Sequence, residues 1–480
     1  MLLNNPLFIL LFGCIFSILL ILIIPYKNLE LLRIIGFSSS VFLFVWSLWL
    51  WVLFDEYLGT FQFLISVFEL PIAGIDGLSL IFIILTTFLF VCCFLLIWSV
   101  INHLKLLILL LLFLELLLLL VFSVVDLFLF YIIFELILLP MVLIIFIWGS
   151  RARKIKAGFY FFLYTLLGSL LMLVGLLLMY SEFGTTNFLL LMYYLPGYEK
   201  QLLLWFLFFF SFAIKIPMFP FHIWLPEAHV EAPTIGSVLL AGLLLKLGGY
   251  GFLRILIALF PDATLYFTPF LLTLASLGII YASLTLLRQI DIKKIIAYSS
   301  IAHMNFALLG MFSNTLVGLQ GSIYLLISHG FSSSALFMLA GILYERHHTR
   351  LVHYYGGLTQ LMPLYAFFFF VFTIANFGFP GTSNFVGELL IFLSLIQQSF
   401  FLILCGGIGM LFSVIYSILL FNRVLFGELK FYYLTFNFYQ DITKRECAIL
   451  FFLSFFLIFF GLFPNLIMDL MAIPTTLLLI

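Results

Sequence analysis

Charged residues are scarce in this sequence. Only 8% of its 480 residues are Asp, Glu, Lys or Arg, whereas soluble domains carry about 25%, and 66% are hydrophobic. No polar stretch is long enough to form a separate water-soluble domain. The formal net charge is zero, so no basic surface suggests nucleic acid as a partner. The composition therefore predicts an integral membrane protein.

Cysteine clusters and cofactor motifs are also lacking. The five cysteines form no CxxC pair, which argues against a disulfide framework, a zinc site or an iron–sulfur cluster. No glycine-rich dinucleotide fingerprint is present. The stretch FHIWLPEAHVEAP holds His222, Glu227, His229 and Glu231, but it lacks the HExxH spacing of a zinc site and is interrupted by prolines. We therefore expect neither a metal nor a cofactor in this chain.

Long apolar runs fill the rest of the sequence. Windows of about 19 residues predict about fourteen spanning helices, hence an all-α polytopic membrane protein. A β-barrel would instead show short segments that alternate with a period of two. The predicted spans are 6–25, 32–53, 76–99, 104–122, 125–147, 155–179, 202–224, 234–256, 264–287, 293–312, 317–343, 362–397, 400–421 and 447–470.

The loops between these spans differ in charge. Most Lys and Arg residues fall in loops that lead from an odd-numbered span to an even-numbered one, RARKIK (151–156) among them. By the positive-inside rule these basic loops face the matrix or the cytoplasm, which places both termini on the opposite side. The chain opens almost directly on an apolar segment without a basic leader, so we expect synthesis inside an organelle or in a bacterium.

Two of the apolar runs are interrupted. The seventh breaks between Lys215 and Pro220, and the twelfth between Asn376 and Gly381. An offset of five spans gives the two broken helices opposite orientations, which indicates an inverted repeat. We therefore predict two inverted five-helix repeats, spans 4–8 and 9–13. The predicted divisions are 1–103 for the first three helices, 104–257 and 258–424 for the two repeats, and 425–480 for the last loop and helix.

Three ionisable residues lie deep inside apolar runs: Glu135, Lys215 and Lys246. Such groups are costly in a membrane and usually serve ion or proton transport. Each has a helix breaker nearby, namely Pro140, Pro217 and the pair Gly248-Gly249. Burial disfavours the charged form of a lysine, whereas a neighbouring carboxylate favours it. A Glu135–Lys215 pair that opens and closes would thus release and bind a proton. The alternative is a static ion pair that ties two helices together.

Further polar residues extend the series. His303 and His329 lie in the tenth and eleventh spans, and Glu388 follows the break in the twelfth. Histidine titrates near neutral pH, which suits a proton relay, although a lone buried histidine is often only a core residue. Glu115 and Asp126 are candidates for proton uptake or for contacts between subunits. Another set, expected to be simply solvated, comprises Asp291, Lys293 and Lys294.

Three stretches resemble the antiporter-like membrane subunits of respiratory complex I. They are FELILLPMVLIIFIWGSRARKIKAGFYFFLYTLLGS, AIKIPMFPFHIWLPEAHVEAPTIGSVLLAGLLLKLGGYG and DIKKIIAYSSIAHMNF. The resemblance covers residues 75–425 and implies a proton relay made of Glu135, Lys215, Lys246, His303, His329 and Glu388. Asp126 matches the acidic residue that precedes the fifth-helix glutamate. Glutamate at position 388 is similar to one branch of the family, since two other branches carry lysine there.

The resemblance also implies a function. It implies a subunit that moves protons from the matrix to the intermembrane space, driven by electron transfer from NADH to quinone in other subunits, which hold the FMN and the iron–sulfur clusters. The implied location is the mitochondrial inner membrane, and the implied partners are neighbouring membrane-arm subunits and phospholipid, including cardiolipin at the basic loops. Alternatives are a sodium/proton antiporter, a chloroplast-type or bacterial homologue, a structural assembly subunit and a quinone-binding subunit.

Overall fold

The computed structural model describes residues 5–67, 70–193, 196–430 and 440–479. Helices dominate these ranges, so the predicted helical class is confirmed, and 11 helices are long and apolar enough to cross a membrane. These are α1 (Pro6–Ile23), α2 (Leu29–Leu53), α3 (Gly77–Leu96, extended to Ser99), α4 (Leu104–Ser123), α5 and α6 (Leu127–Leu136 and Leu138–Trp148), α7 (Lys154–Phe183), the helix Thr234–Ile257, α13 (Pro261–Leu286), α15 (Leu316–His347), α19 (Phe400–Leu425) and α20 (Lys444–Leu462).

The remaining helices are shorter or more polar. They are α8 (Phe188–Leu191), α9 (Tyr198–Lys215), α10 (Trp224–Glu231), α14 (Ile292–Met311), α16 (Leu358–Leu361), α17 (Pro363–Asn376), α18 (Ser383–Ile396) and α21 (Asn465–Leu477). Within Thr234–Ile257, α11 (Thr234–Leu239) and α12 (Leu245–Gly251) are joined by a π-helical segment, and a second one follows α12. The total of fourteen spans and the inverted repeats stay predictions.

The predicted interruptions are present. Helix α9 ends at Lys215 and α10 begins at Trp224, while α17 ends at Asn376 and α18 begins at Ser383. A further interruption lies in the fifth predicted span, where α5 ends at Leu136. Its cause is Pro140, which has no N–H to donate and whose ring clashes with the carbonyl four residues earlier.

One element departs from the helical prediction. Strands β1 (Gln62–Val67) and β2 (Leu70–Ile75) form an antiparallel hairpin between α2 and α3. The hairpin is anchored beside α4, because the Val125 amide donates to the Ile72 carbonyl over 2.9 Å. The segment between α2 and α3 carries Asp55 and Glu56 and contains no apolar run long enough to cross the membrane, so its backbone groups pair in a hairpin outside the spans.

Helix α15 is the central column of the fold. Every residue from Gly321 to Leu343 is buried, and α14, α17, α18 and α20 pack around it. A helix buried on all sides can present polar groups inward without exposing them to lipid. His329 therefore lies at the centre of the molecule.

The basic loops beside α15 are held by buried polar groups. The Arg350 guanidinium donates to the Ser150 hydroxyl over 3.0 Å, and the Tyr355 hydroxyl donates to the Thr349 carbonyl over 2.9 Å. Burial raises the pKa of Tyr355 to about 12. The phenol thus stays neutral at physiological pH and serves as a structural hydrogen-bond donor.

Candidate functional site

Lys246 occupies the middle of the Thr234–Ile257 helix. Its side chain is fully buried, and its Nζ lies 3.0 Å from Nδ1 of His329. The same Nζ also donates a hydrogen bond to the Ala241 carbonyl. That carbonyl belongs to the π-helical segment Leu240–Leu244, a wider turn of the kind often found at functional sites. The local backbone therefore supplies part of the lysine's polar environment.

Although Gly248 and Gly249 are potential helix breakers, α12 runs through both residues, in agreement with the predicted continuous span 234–256. The pair allows close packing. A Cβ atom at Gly248 would lie 2.8 Å from the Ile216 amide nitrogen and 3.1 Å from Cβ of Lys215. Since real Cβ atoms avoid such distances, glycine at position 248 lets the broken seventh segment lie against the helix of Lys246.

His329 and His303 connect the two halves of the polar series. They come from the neighbouring helices α15 and α14, and their ring centroids are 5.7 Å apart. Both side chains are buried. A gap of this size between imidazoles can be closed by ring rotation or by one bridging water.

Glu388 lies at the far end of the series, on the first turns of α18. Its Oε1 is 3.4 Å from Nδ1 of His303. Gly378, in the break before α18, has φ +70°, and a Cβ atom there would occupy the space of the Glu388 carboxylate. Glycine at position 378 therefore serves two purposes. It adopts the left-handed backbone conformation without steric cost, and its missing side chain leaves room for the Glu388 carboxylate.

Lys215 and Glu135 are close in space but are not in contact. Lys215 is the last residue of α9, and its Nζ lies 4.5 Å from the ring centroid of Phe134. Among the described residues neither its Nζ nor Oε1 of Glu135 has a hydrogen-bond partner, and no ion pair within 4.0 Å joins the two side chains. The predicted ion pair between Glu135 and Lys215 is therefore not formed in this structure.

The six predicted residues accordingly form two groups. Lys246, His329, His303 and Glu388 make one buried line across four helices, with contacts of 3.0 Å and 3.4 Å at its ends. Glu135 and Lys215 form a second group, which meets the line through the packing of Lys215 against Gly248. Groups at hydrogen-bonding distance can pass a proton, and imidazole both donates and accepts.

Tyr416 is a neighbour of the line that the sequence analysis missed. Its hydroxyl is 3.4 Å from Nε2 of His303 and also adjoins the side chain of Asn376, at the end of α17. A signal for it exists in the sequence: Ser413, Tyr416 and Ser417 are polar residues on one face of an otherwise apolar helix.

The prediction that Lys293 is solvated is wrong. Its side chain is buried and donates to the Ala232 carbonyl over 2.9 Å and to the Ser237 hydroxyl over 3.1 Å. The neighbouring Lys294 is half-exposed and pairs with Glu227 at 3.1 Å. The Ala232 carbonyl before α11 and the Ser237 hydroxyl within α11 therefore take the place of solvent around Lys293.

The two acidic candidates have different surroundings. Asp126 caps α5, since its carboxylate accepts the amides of Phe128 and Leu129 over 2.9 Å and 3.0 Å and the Thr186 hydroxyl over 2.7 Å. Glu115 is fully buried in α4, and neither carboxylate oxygen has a hydrogen-bond partner among the described residues.

The sequence predicts no disulfide framework, and it predicts no metal site in the stretch FHIWLPEAHVEAP. The five cysteines are free thiols. Within the described ranges, no group of three or more His, Cys, Asp or Glu side chains could hold a metal ion.

Comparison with known proteins finds relatives that match nearly the whole chain. The family described as NADH:quinone oxidoreductase/Mrp antiporter, TM, matches residues 124–415, which include every residue of the line. NADH-ubiquinone oxidoreductase chain 4 of Chondrus crispus is 51% identical over 468 residues, which cover 96% of this chain and 95% of the relative.

Solved structures show the same fold. A chain of respiratory complex I from Thermus thermophilus with bound NADH superposes with a TM-score of 0.86 at 29% identity, covering 98% of this chain and 99% of the other. A chain of the Mrp complex from Dietzia sp. DQ12-45-1b gives a TM-score of 0.85 at 18% identity over 98% of this chain and 96% of the other, a likeness of fold alone.

Proposed function

Because this chain belongs to the NADH-ubiquinone oxidoreductase chain 4 family of antiporter-like membrane subunits, we propose that it is a proton-translocating subunit of respiratory complex I. It moves protons from the matrix to the intermembrane space, and electron transfer from NADH to ubiquinone in partner subunits supplies the energy. We propose that the redox chemistry takes place in those partners, which hold FMN, the iron–sulfur clusters and the quinone site.

One observation carries the proposal. A lysine, two histidines and a glutamate lie in a single buried line through the centre of an apolar bundle, and the contact between Lys246 and His329 is 3.0 Å. Ionisable groups buried in a membrane lower stability, so those that are present usually serve ion or proton transport. The line runs from Lys246 in the first proposed repeat to Glu388 in the second. Its donors and acceptors offer protons a path parallel to the membrane plane.

The second group supplies a switch. Glu135 and Lys215 are not paired in the structure, and Nζ of Lys215 lies over the ring of Phe134. Closure of this pair favours the charged lysine, and opening favours release of its proton. Since Lys215 packs against Gly248, movement of the broken helix also reaches the helix of Lys246. Redox-driven opening and closing of the pair would thus alternate uptake and release.

The test replaces Lys246 by alanine in a genetically accessible relative and measures assembly, NADH–quinone turnover and proton pumping in the assembled complex. The matched control is Lys294→Ala, which removes a half-exposed lysine paired with Glu227. We expect Lys246→Ala to assemble and to lose pumping, while the control keeps the wild-type proton-to-electron ratio.

Two results would reject the relay. Wild-type pumping in Lys246→Ala would exclude this lysine from the proton path. A complex that fails to assemble with Lys246→Ala but assembles and pumps normally with Lys246→Met, which keeps most of the side-chain volume, would assign the lysine to packing alone.

The proposed architecture has fourteen spans and two inverted repeats, spans 4–8 in residues 104–257 and spans 9–13 in 258–424. The divisions 1–103 and 425–480 flank these repeats. The breaks after Lys215 and Asn376 support this proposal, because each repeat then contains one discontinuous helix. We further infer an organelle-encoded protein of the mitochondrial inner membrane whose basic loops face the matrix and whose termini face the intermembrane space.

The proposed partners are neighbouring membrane-arm subunits and phospholipid. Lipid at the matrix face is supported by the Lys and Arg residues of the basic loops, Arg423 and Lys430 among them. Cationic side chains at this level suit anionic headgroups, including cardiolipin.

Sodium/proton antiport is the second candidate, because the matching family also covers Mrp antiporters and the folds agree. The two functions differ in their ion requirement. Pumping that continues unchanged after sodium is replaced by potassium supports the proton-pumping subunit, and pumping that stops supports the antiporter.

A further inference from the structure

Tyr416 separates two small cavities beside α19. The inner cavity measures about 20 Å³ and is lined by His303, Glu388 and Tyr416, among others. The next cavity, also about 20 Å³, is lined by Tyr416 on one side and by Arg423 on the other. A cavity of this size holds about one water molecule. Tyr416 is therefore the residue that lines both cavities.

A third cavity continues this series to the surface. It measures about 400 Å³, shares Val352 and Arg423 with the second cavity, and lies among the basic loops that follow α13, α15 and α19. Tyr416, Leu420 and Arg423 are one helical turn apart, so they mark one face of α19. We call this series of three spaces the α19 cavities. They lead from the basic-loop face to the end of the buried line.

The groups around Tyr416 suit proton transfer. Its hydroxyl is 3.4 Å from Nε2 of His303, and Nδ1 of the same ring is 3.4 Å from Glu388. The ionisable and polar groups that face it are His303 on α14, Asn376 on α17 and Glu388 on α18. A phenol hydroxyl is both donor and acceptor. It can take one proton from the outer side and release its own to the inner side, so it is neutral before and after.

We propose that the α19 cavities and the Tyr416 hydroxyl form a proton access path from the basic-loop face to His303 and Glu388. The direction, uptake from this face, rests on the proposed function. The path delivers protons to the second half of the bundle at a point other than Glu135 and Lys215. Tyr416 is a transfer residue on this path and not merely a packing residue.

The test uses the assembled complex in sealed vesicles whose pH is set separately on each face. Tyr416→Phe removes the hydroxyl and keeps the ring, and Leu420→Trp fills the second cavity. The matched control, Ile418→Phe, enlarges an exposed residue of the same helix that lines none of the α19 cavities. Proton pumping and NADH–quinone turnover are measured in all three variants and in Lys246→Ala.

We expect Tyr416→Phe and Leu420→Trp to slow pumping several-fold, whereas Ile418→Phe pumps normally. Acidifying the basic-loop face alone should restore the rate of Tyr416→Phe, because uptake has become limiting. The path is wrong if Tyr416→Phe pumps normally, or if its rate responds to the opposite face or to neither. If Lys246→Ala stops pumping and Tyr416→Phe does not, only the access path fails. If Lys246→Ala pumps normally, the relay through Lys246 in the proposed function fails.

Discussion

At the scale of single residues, the site depends on small side chains beside charged ones. Gly378 leaves space for the carboxylate of Glu388, and Gly248 leaves space for the turn after Lys215. A buried charge must be placed within a few tenths of an ångström to meet its partner, because neighbouring atoms cannot be compressed. The glycines thus determine where the ionisable groups stand.

Gly378→Ala tests this placement. Alanine in the left-handed region costs about 1–2 kcal/mol, and its methyl group would also displace Glu388 from His303. We expect less assembled complex and, per assembled complex, a lower rate of proton pumping.

Gly381→Ala is the matched control. Gly381 has φ +94° in the same break, but no atom lies within 4 Å of a Cβ added there. It should therefore lower the amount of complex without changing pumping per complex. Equal losses of pumping in both variants would show that the break, and not the position of Glu388, matters.

At the scale of elements, the residues of the proposed relay come from interrupted helices. Lys215 ends α9, the helix of Lys246 contains two π-helical segments, and Glu388 follows the break between α17 and α18. Each irregularity frees backbone groups beside an ionisable side chain, and these are tolerated because they are enclosed by protein. Helical irregularity and buried charge therefore coincide at each end of the line.

Gly248→Ala tests the contact between two of these elements. Its methyl group would lie 2.8 Å from the Ile216 amide nitrogen, so the turn after α9 must shift away from the helix of Lys246. We expect a several-fold lower pumping rate in the assembled complex. Gly197→Ala, where an added Cβ meets no atom within 4 Å, should leave pumping unchanged. A normal rate in Gly248→Ala would show that this packing carries no part of the mechanism.

Much of this arrangement is readable from the sequence, because apolar runs and breakers act locally. The interruptions at Lys215 and Asn376 were predicted from proline and glycine alone and are present. The hairpin at 62–75, the burial of Lys293 and the position of Tyr416 were not. Each depends on a distant partner: Val125 for the hairpin, Ala232 for Lys293 and His303 for Tyr416. Local patterns carry no information about such contacts.

At the scale of the whole molecule, α15 holds the centre and the polar line passes through it. Its residues from Gly321 to Leu343 are all buried, so a proton on His329 is far from lipid and from bulk water. Moving one charge across the membrane against 100 mV costs about 2.3 kcal/mol. If protons enter and leave the buried line only at its ends, the proposed switch at Glu135 and Lys215 can control when a proton crosses the membrane.

His329 is the residue through which the line must pass, because it contacts Lys246 and lies next to His303. The most direct measurement is therefore the proton-to-electron ratio of assembled complex with His329→Leu. The control is His222→Leu, which removes a buried histidine that packs on Phe219 and Tyr281, apart from the line. The proposed relay predicts a lowered ratio or stalled pumping in His329→Leu and the wild-type ratio in His222→Leu. A wild-type ratio and rate in His329→Leu would contradict it.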